Sequence, residues 1–484
     1  MGGRPADPDR GARGLSGTQV LPRFSRLISG GTVVTAGGSF RADVAIDGER
    51  IAAVEPAGIP EEAAAEVVDS TGLLVLPGVV DVHTHTRIPS DAEPERFFQD
   101  TVAAAFGGTT TLLAFDNPGT GISVAAQRRL RDGVVEWRDR TRGDAAIDVG
   151  VSAVLTAQQA DPVGDLAWLV DQGVPSVKCF LVYDFGIGEA QLAAVLREGA
   201  RTGALIQVHG EDRGMLDAGI AAQLARGETG ARGHQRSRPP AVEAAGTATA
   251  IRLAREAGAR VYLVHVSSAA ALAEIAGARA VGAAVFAETC PHYLTLDSGR
   301  YALPEAEAVR AIISPPLRDA ADQDALWAGL ASGSLDLVAT DHVPDRLAVE
   351  KRADGRPFPE VSNGAPGVET LLSVVWSAAV AGGRLSPERV VDAVATTPAR
   401  LFGLPRKGAV EIGRDADLVL FDPDARRTIR AADLHHTSDF TPYEGMEVAG
   451  AVRRVILRGA DVVVDGRFVG RRGGGADLWR VAGG

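Results

Sequence analysis

Two histidines one residue apart, His83 and His85, close the apolar run of LPGVVDVHTHTRIPS. On an extended strand, residues i and i+2 point to one face, so both imidazoles converge on one point, as two ligands of a metal ion must. An isolated pair of this kind is better explained by packing and hydrogen bonding in a core. Here other polar residues end apolar runs in the same way: Lys178 in PSVKCFLVY, His209 in ALIQVHGED, His265 in RVYLVHVSS and Asp341 in LDLVATDHVP. Four of the chain's nine histidines fall at such ends, which generic packing does not produce. Imidazole with carboxylate favours zinc or a similarly borderline divalent cation. Lys178 fits on different terms, because an ammonium has no lone pair. Carboxylation by CO₂ would convert it to a carbamate, an anionic oxygen donor able to bridge two metal ions.

Residues so far apart in the chain need a frame that gathers strand ends. Eight strand-like segments supply it: VVDVHTH, TTTLLAFD, IDVGVSAVL, PSVKCFLVY, ALIQVHGED, RVYLVHVSS, AAVFAETCP and LDLVATDHVP. Helix-like stretches separate most of them; in EAQLAAVLREGART, Leu192, Val195 and Leu196 recur at helical spacing. Near-continuous apolar strands alternating with amphipathic helices predict an α/β fold with a parallel sheet, and eight units predict a closed (β/α)8 TIM barrel. Active sites of such barrels form at the C-terminal ends of the strands, where this chain has gathered its unusual residues.

The flanks have another style. LISGGTVVTAGGSFRADVAIDGERIAAV and RRVILRGADVVVDGRFVG carry short β-branched runs around Asp47-Gly48 and Asp465-Gly466, two hairpin signals. The expected organisation is a disordered leader over 1–24, a small β-sandwich from 25–75 plus 404–472, the catalytic barrel over 76–403 and a flexible tail over 473–484. A net charge of −12 without a basic cluster argues against nucleic acid as a partner. No apolar run approaches the roughly 20 residues that span a bilayer, and the leader has no apolar signal core. Two cysteines, Cys179 and Cys290, imply no disulfide framework. A cytoplasmic protein acting on a small molecule is expected.

The segments PGVVDVHTH, SVKCFLVY, SRPPAVEAAGTATAIRLA, ETCPHYLTLD, SPPLRDA, TDHVPD, NGAPGVET and FTPYEGMEVAG, in this order, resemble the cyclic amidohydrolases, dihydropyrimidinases and D-hydantoinases in particular. The resemblance runs from about Leu27 to Gly470. It implies two zinc ions: one held by His83, His85 and Asp341, the second by His209 and His265, with carboxylated Lys178 bridging them. A metal-bridged hydroxide would open a dihydropyrimidine or 5-substituted hydantoin to an N-carbamoyl amino acid. Asp341 would shuttle the proton, Tyr183 would donate to the substrate carbonyl, and Ser314 and Asn363 would hold the ring through backbone groups. Homotetramers are common among such relatives. Arg87 and Asn117 point elsewhere, to an anionic substrate as in dihydroorotases, since Arg suits a carboxylate; allantoinase is a further alternative. A remote one is a non-catalytic adaptor related to dihydropyrimidinase, which the complete ligand set disfavours.

Overall fold

The structure is a computed structural model and describes residues 1–3, 23–116, 124–352 and 354–483. Most of the leader, and Asn117, lie outside the described residues.

Eight parallel strands follow one another in chain order: β1 (Val79–Thr84), β2 (Thr109–Phe115), β3 (Asp148–Leu155), β4 (Ser176–Phe180), β5 (Leu205–His209), β6 (Val261–Leu263), β7 (Val285–Thr289) and β8 (Leu337–Val338). A parallel bridge from Thr84 to His342, just past β8, brings the last segment beside the first. The sheet curls into a TIM-like barrel covered by helices. Its strands are buried on both faces, which is why they read as unbroken apolar runs. On β4, Val177 and Cys179 join the large hydrophobic cluster beneath the helices, so alternation turns Ser176, Lys178 and Phe180 the other way. Ile206 and Val208 do the same on β5, leaving Gln207 and His209 on the opposite face. The helix Glu189–Thr202 buries Leu192, Val195 and Leu196 and stops at Gly203, whose φ of 81° suits a residue without Cβ.

Both chain ends build two further sheets. One joins Arg26–Ser29, Asp43–Asp47, Arg50–Glu55 and Val67–Asp69; the other mixes Thr32–Thr35, Gly38–Arg41 and Leu74–Pro77 with Leu418–Thr428, Glu447–Leu457, Ala460–Val464 and Arg467–Phe468. Ile28, Val44, Val75, Leu420 and Ile456 share the core between them. The two expected hairpins differ. Val464 pairs with Arg467 and both Asp465 and Gly466 have positive φ, as a two-residue type I′ turn requires. At the other, Asp47 itself pairs with Arg50, so the loop is Gly48–Glu49 and only Gly48 has positive φ.

Sheets and barrel are joined by buried charge. Lys407 Nζ lies 2.6 Å from Asp148 on β3, 2.9 Å from Asp415 and 2.7 Å from Asp417. Beyond Phe468, the glycine-rich C-terminal segment is bonded to the floor of the barrel rather than hanging free. Val149 N–H donates to Ala476 O and Leu478 N–H to Val149 O. Arg480, 1% exposed, donates to Ser176 Oγ at 2.8 Å and to the Val151 carbonyl. Its glycines suggest looseness, but backbone pairing and one inserted guanidinium tie the segment down.

Candidate metal centre

At the C-terminal ends of the strands the residues from distant segments meet. Nε2 of His83 is 3.0 Å and Nε2 of His85 is 3.3 Å from the same Asp341 oxygen. These three offer donor atoms that all lie within 4.8 Å of one another. Lys178 Nζ, buried, stands 3.3 Å from His83 Nε2. Beside this group, His209 Nδ1 faces His265 Nε2 at 2.9 Å. The rings of His83 and His265 are 5.5 Å apart, so the two groups share one wall. Phe115 packs edge-on against His83, with ring centroids 4.9 Å apart, and stands 4.8 Å from Lys178 Nζ.

The donor chemistry fits divalent cations. Burial pulls the Asp341 carboxyl up, but His83 and His85 overcome it and hold it well below the usual carboxylate range. Burial pushes the His85 imidazole down to about 4, and burial with His209 beside it lowers His265 well below its ordinary value. Carboxylate and neutral imidazole are the forms that bind metal. Burial and Lys178 pull the His83 imidazole down, but Glu288 and Asp341 outweigh them and raise it, so His83 must shed a proton when a cation binds. Burial also lowers the Lys178 ammonium to about 8.

Tyr183, His265 and Asp341 sit on left-handed backbone, with φ of 69°, 41° and 50°. For residues other than glycine this costs about 1–3 kcal/mol each and concentrates where side chains must be aimed. A cavity of about 720 Å³ opens onto the group, lined among others by His85, Lys178, Tyr183, His209, His265 and Asp341. Burial pushes the Tyr183 hydroxyl up to about 12, so it stays a donor. Ser314 and Asn363 line the same cavity, Ser314 within hydrogen-bonding reach of the Tyr183 hydroxyl and Asn363 Oδ1 buried without a hydrogen-bond partner among the described residues. Arg87 is at the cavity too, but its Nη2 is 3.0 Å from Asp345, a fully buried carboxylate.

The amidohydrolase family profile matches residues 74–462. The chain belongs to the amidohydrolase family. This amidohydrolase is 38% identical over 458 residues to a D-hydantoinase of Streptomyces coelicolor, covering 93% of this chain and 97% of the relative. It is 37% identical over 458 residues to a D-phenylhydantoinase of Escherichia coli, covering 94% and 98% of the two chains. The crystal structure of a dihydropyrimidinase from Brevibacillus agri superimposes with a TM-score of 0.88 at 38% identity, covering 94% of this chain and 99% of that one.

The amidohydrolase also holds site residues that motif reading passes over. Glu288 accepts a hydrogen bond from His83 Nδ1–H, and Glu211 accepts one from His209 Nε2–H at 2.8 Å. Asp81 accepts from the Thr340 backbone N–H at 3.1 Å and from its hydroxyl, locking β1 to the segment after β8 that carries Asp341. The clue was weak but present. Glu211 lies two residues beyond His209, the last residue of β5, and Glu288 is next to last on β7, where alternation with Ala287 turns it inward. His342 accepts the Gly367 N–H on Nδ1 at 3.1 Å, and its carbonyl accepts the His85 N–H at 2.7 Å.

Proposed function

We propose that the protein hydrolyses the ring amide of 5-substituted hydantoins and dihydropyrimidines, releasing N-carbamoyl amino acids. The observation that carries this is the cluster of His83, His85, Lys178, His209, His265 and Asp341 at the barrel mouth, where all but the fully buried His83 line one cavity. The names of its relatives point to the same substrates. His83, His85 and Asp341 would hold one zinc ion, His209 and His265 a second, with Lys178 carboxylated between them. Divalent cations held there supply Lewis acidity and make water a nucleophile at neutral pH.

The chain's own groups do the rest. Asp341, unprotonated, accepts a proton from the attacking water and passes it to the ring nitrogen as the C–N bond breaks. The Tyr183 hydroxyl, protonated up to about 12, donates to the carbonyl oxygen as negative charge develops there. Ser314 and Asn363, which line the cavity, would hold the ring. Arg87, already matched by Asp345, gives the dihydroorotate reading no support. From the resemblance to the cyclic amidohydrolases we propose that the assembly is a homotetramer, and we propose that it works in the cytoplasm. Among the described residues no helix is long and apolar enough to cross a membrane.

The test is a panel: zinc-loaded protein offered dihydrouracil, a 5-substituted hydantoin, allantoin and dihydroorotate, with bound metal counted. Turnover of the first two with two zinc ions per chain is expected. Turnover of dihydroorotate alone overturns the substrate assignment.

A further inference from the structure

Two glutamates stand behind the ligand histidines without joining them. Glu288 is fully buried; besides the His83 ring it accepts the Tyr262 hydroxyl at 2.5 Å and the backbone N–H of His265 at 3.2 Å. Glu211, also fully buried, takes His209 Nε2–H at 2.8 Å, and its other oxygen lies 3.6 Å from Arg238 Nε. A carboxylate only accepts, so the ring nitrogen facing it must carry the proton. His83 is thereby left to present Nε2 inward and His209 to present Nδ1. The two rings are used opposite ways round, and the glutamates decide which way.

We propose that Glu288 and Glu211 are positioning residues, each dedicated to one metal position. Glu288 serves the cation of His83, His85 and Asp341; Glu211 serves that of His209 and His265. The inference rests on the two-cation reading above. A carboxylate behind an imidazole fixes its tautomer and orientation and raises the basicity of the inward nitrogen, and removing such a partner costs 10–100-fold in metal affinity. Nothing else polar reaches these two ring nitrogens among the described residues. The partition follows from the geometry: Glu288 meets the ring of His83, while its contact with His265 is to backbone alone.

Glu288→Gln and Glu211→Gln keep volume and an acceptor oxygen for the N–H groups while removing the charge. Each is combined with His85→Asn, which removes the first position, and with His265→Asn, which removes the second. Bound zinc is followed by elemental analysis during chelator titration, and folding by calorimetry. In the His85→Asn background Glu211→Gln should weaken the remaining zinc by about 10–100-fold and Glu288→Gln by less than about threefold. In the His265→Asn background the order should reverse. Tyr262→Phe, which removes only a hydroxyl partner of Glu288, should weaken the same zinc as Glu288→Gln and by less. Equal weakening of both zinc ions by either glutamine, weakening of neither, or a Tyr262→Phe effect on the other zinc overturns the proposal. If the unaltered protein binds two zinc ions and these variants fail to discriminate, only the glutamate assignment falls; if it binds none, the two-cation reading falls with it.

Discussion

A buried lysine beside two histidines is useful only if CO₂ can react with it, and CO₂ reacts with the free amine. Burial lowers the Lys178 ammonium from the 10.5 of an exposed lysine to about 8, against the opposite pull of Asp341 and Glu288. At pH 7 roughly one chain in ten then carries a free amine, compared with roughly one in three thousand for an exposed lysine, a gain of about 300-fold. The prediction concerns metal-free protein given zinc at constant dissolved CO₂, with zinc uptake and hydantoin hydrolysis followed from pH 6.5 to about 9.5. The rate of reactivation should climb about tenfold per pH unit and level off near pH 8. His85, at about 4, stays neutral throughout. Burial and Lys178 lower the His83 imidazole, but Glu288 and Asp341 outweigh them and raise it, so the same titration in CO₂-free buffer separates its deprotonation from carbamate formation. Lys178→Met should take up less metal and lose the response to CO₂. Full loading of both zinc ions in CO₂-free buffer would refute the reasoning, as would a rate still rising tenfold per unit above pH 9.

Four further outcomes are expected. Tyr183→Phe should lower kcat by roughly 10²–10³-fold with zinc content unchanged, as loss of one oxyanion donor does; steady-state kinetics with metal analysis checks it. Lys407→Met strands three buried carboxylates and should cost about 3–5 kcal/mol in denaturant unfolding. Arg480→Ala should lower the thermal midpoint while leaving kcat intact, because its partners Ser176 and Val151 lie at the floor of the barrel, away from the cavity. Asp345→Asn should release Arg87 and raise kcat/KM for a carboxylate-bearing hydantoin relative to a neutral one of equal size; an unchanged ratio would show that Arg87 does not sense the substituent.

Much of the site was legible because strand periodicity is local. An apolar run with a polar residue at its end already says which face that residue takes, and the eight runs, five of which lead to His83, Lys178, His209, His265 and Asp341, are the eight strands observed. Tyr183 was legible only through family likeness, since neither its spacing nor a glycine announces the left-handed backbone that aims it.

What stayed hidden depends on partners far away in the chain. Arg87 reads as a free guanidinium until barrel closure sets Asp345, 258 residues on, against it. Glu288 reads as one more strand residue until His83, 205 positions earlier, turns Nδ1 toward it. The C-terminal glycines read as slack until Arg480 is seen bonded to Ser176, 304 residues before it. The sequence by itself determined the barrel, the metal-ligand types and the end at which they gather, because these follow from alternation and residue chemistry along each strand. Only the tertiary structure decided which charges are matched and which ring nitrogens face inward, because those follow from which distant strands the closing sheet makes neighbours.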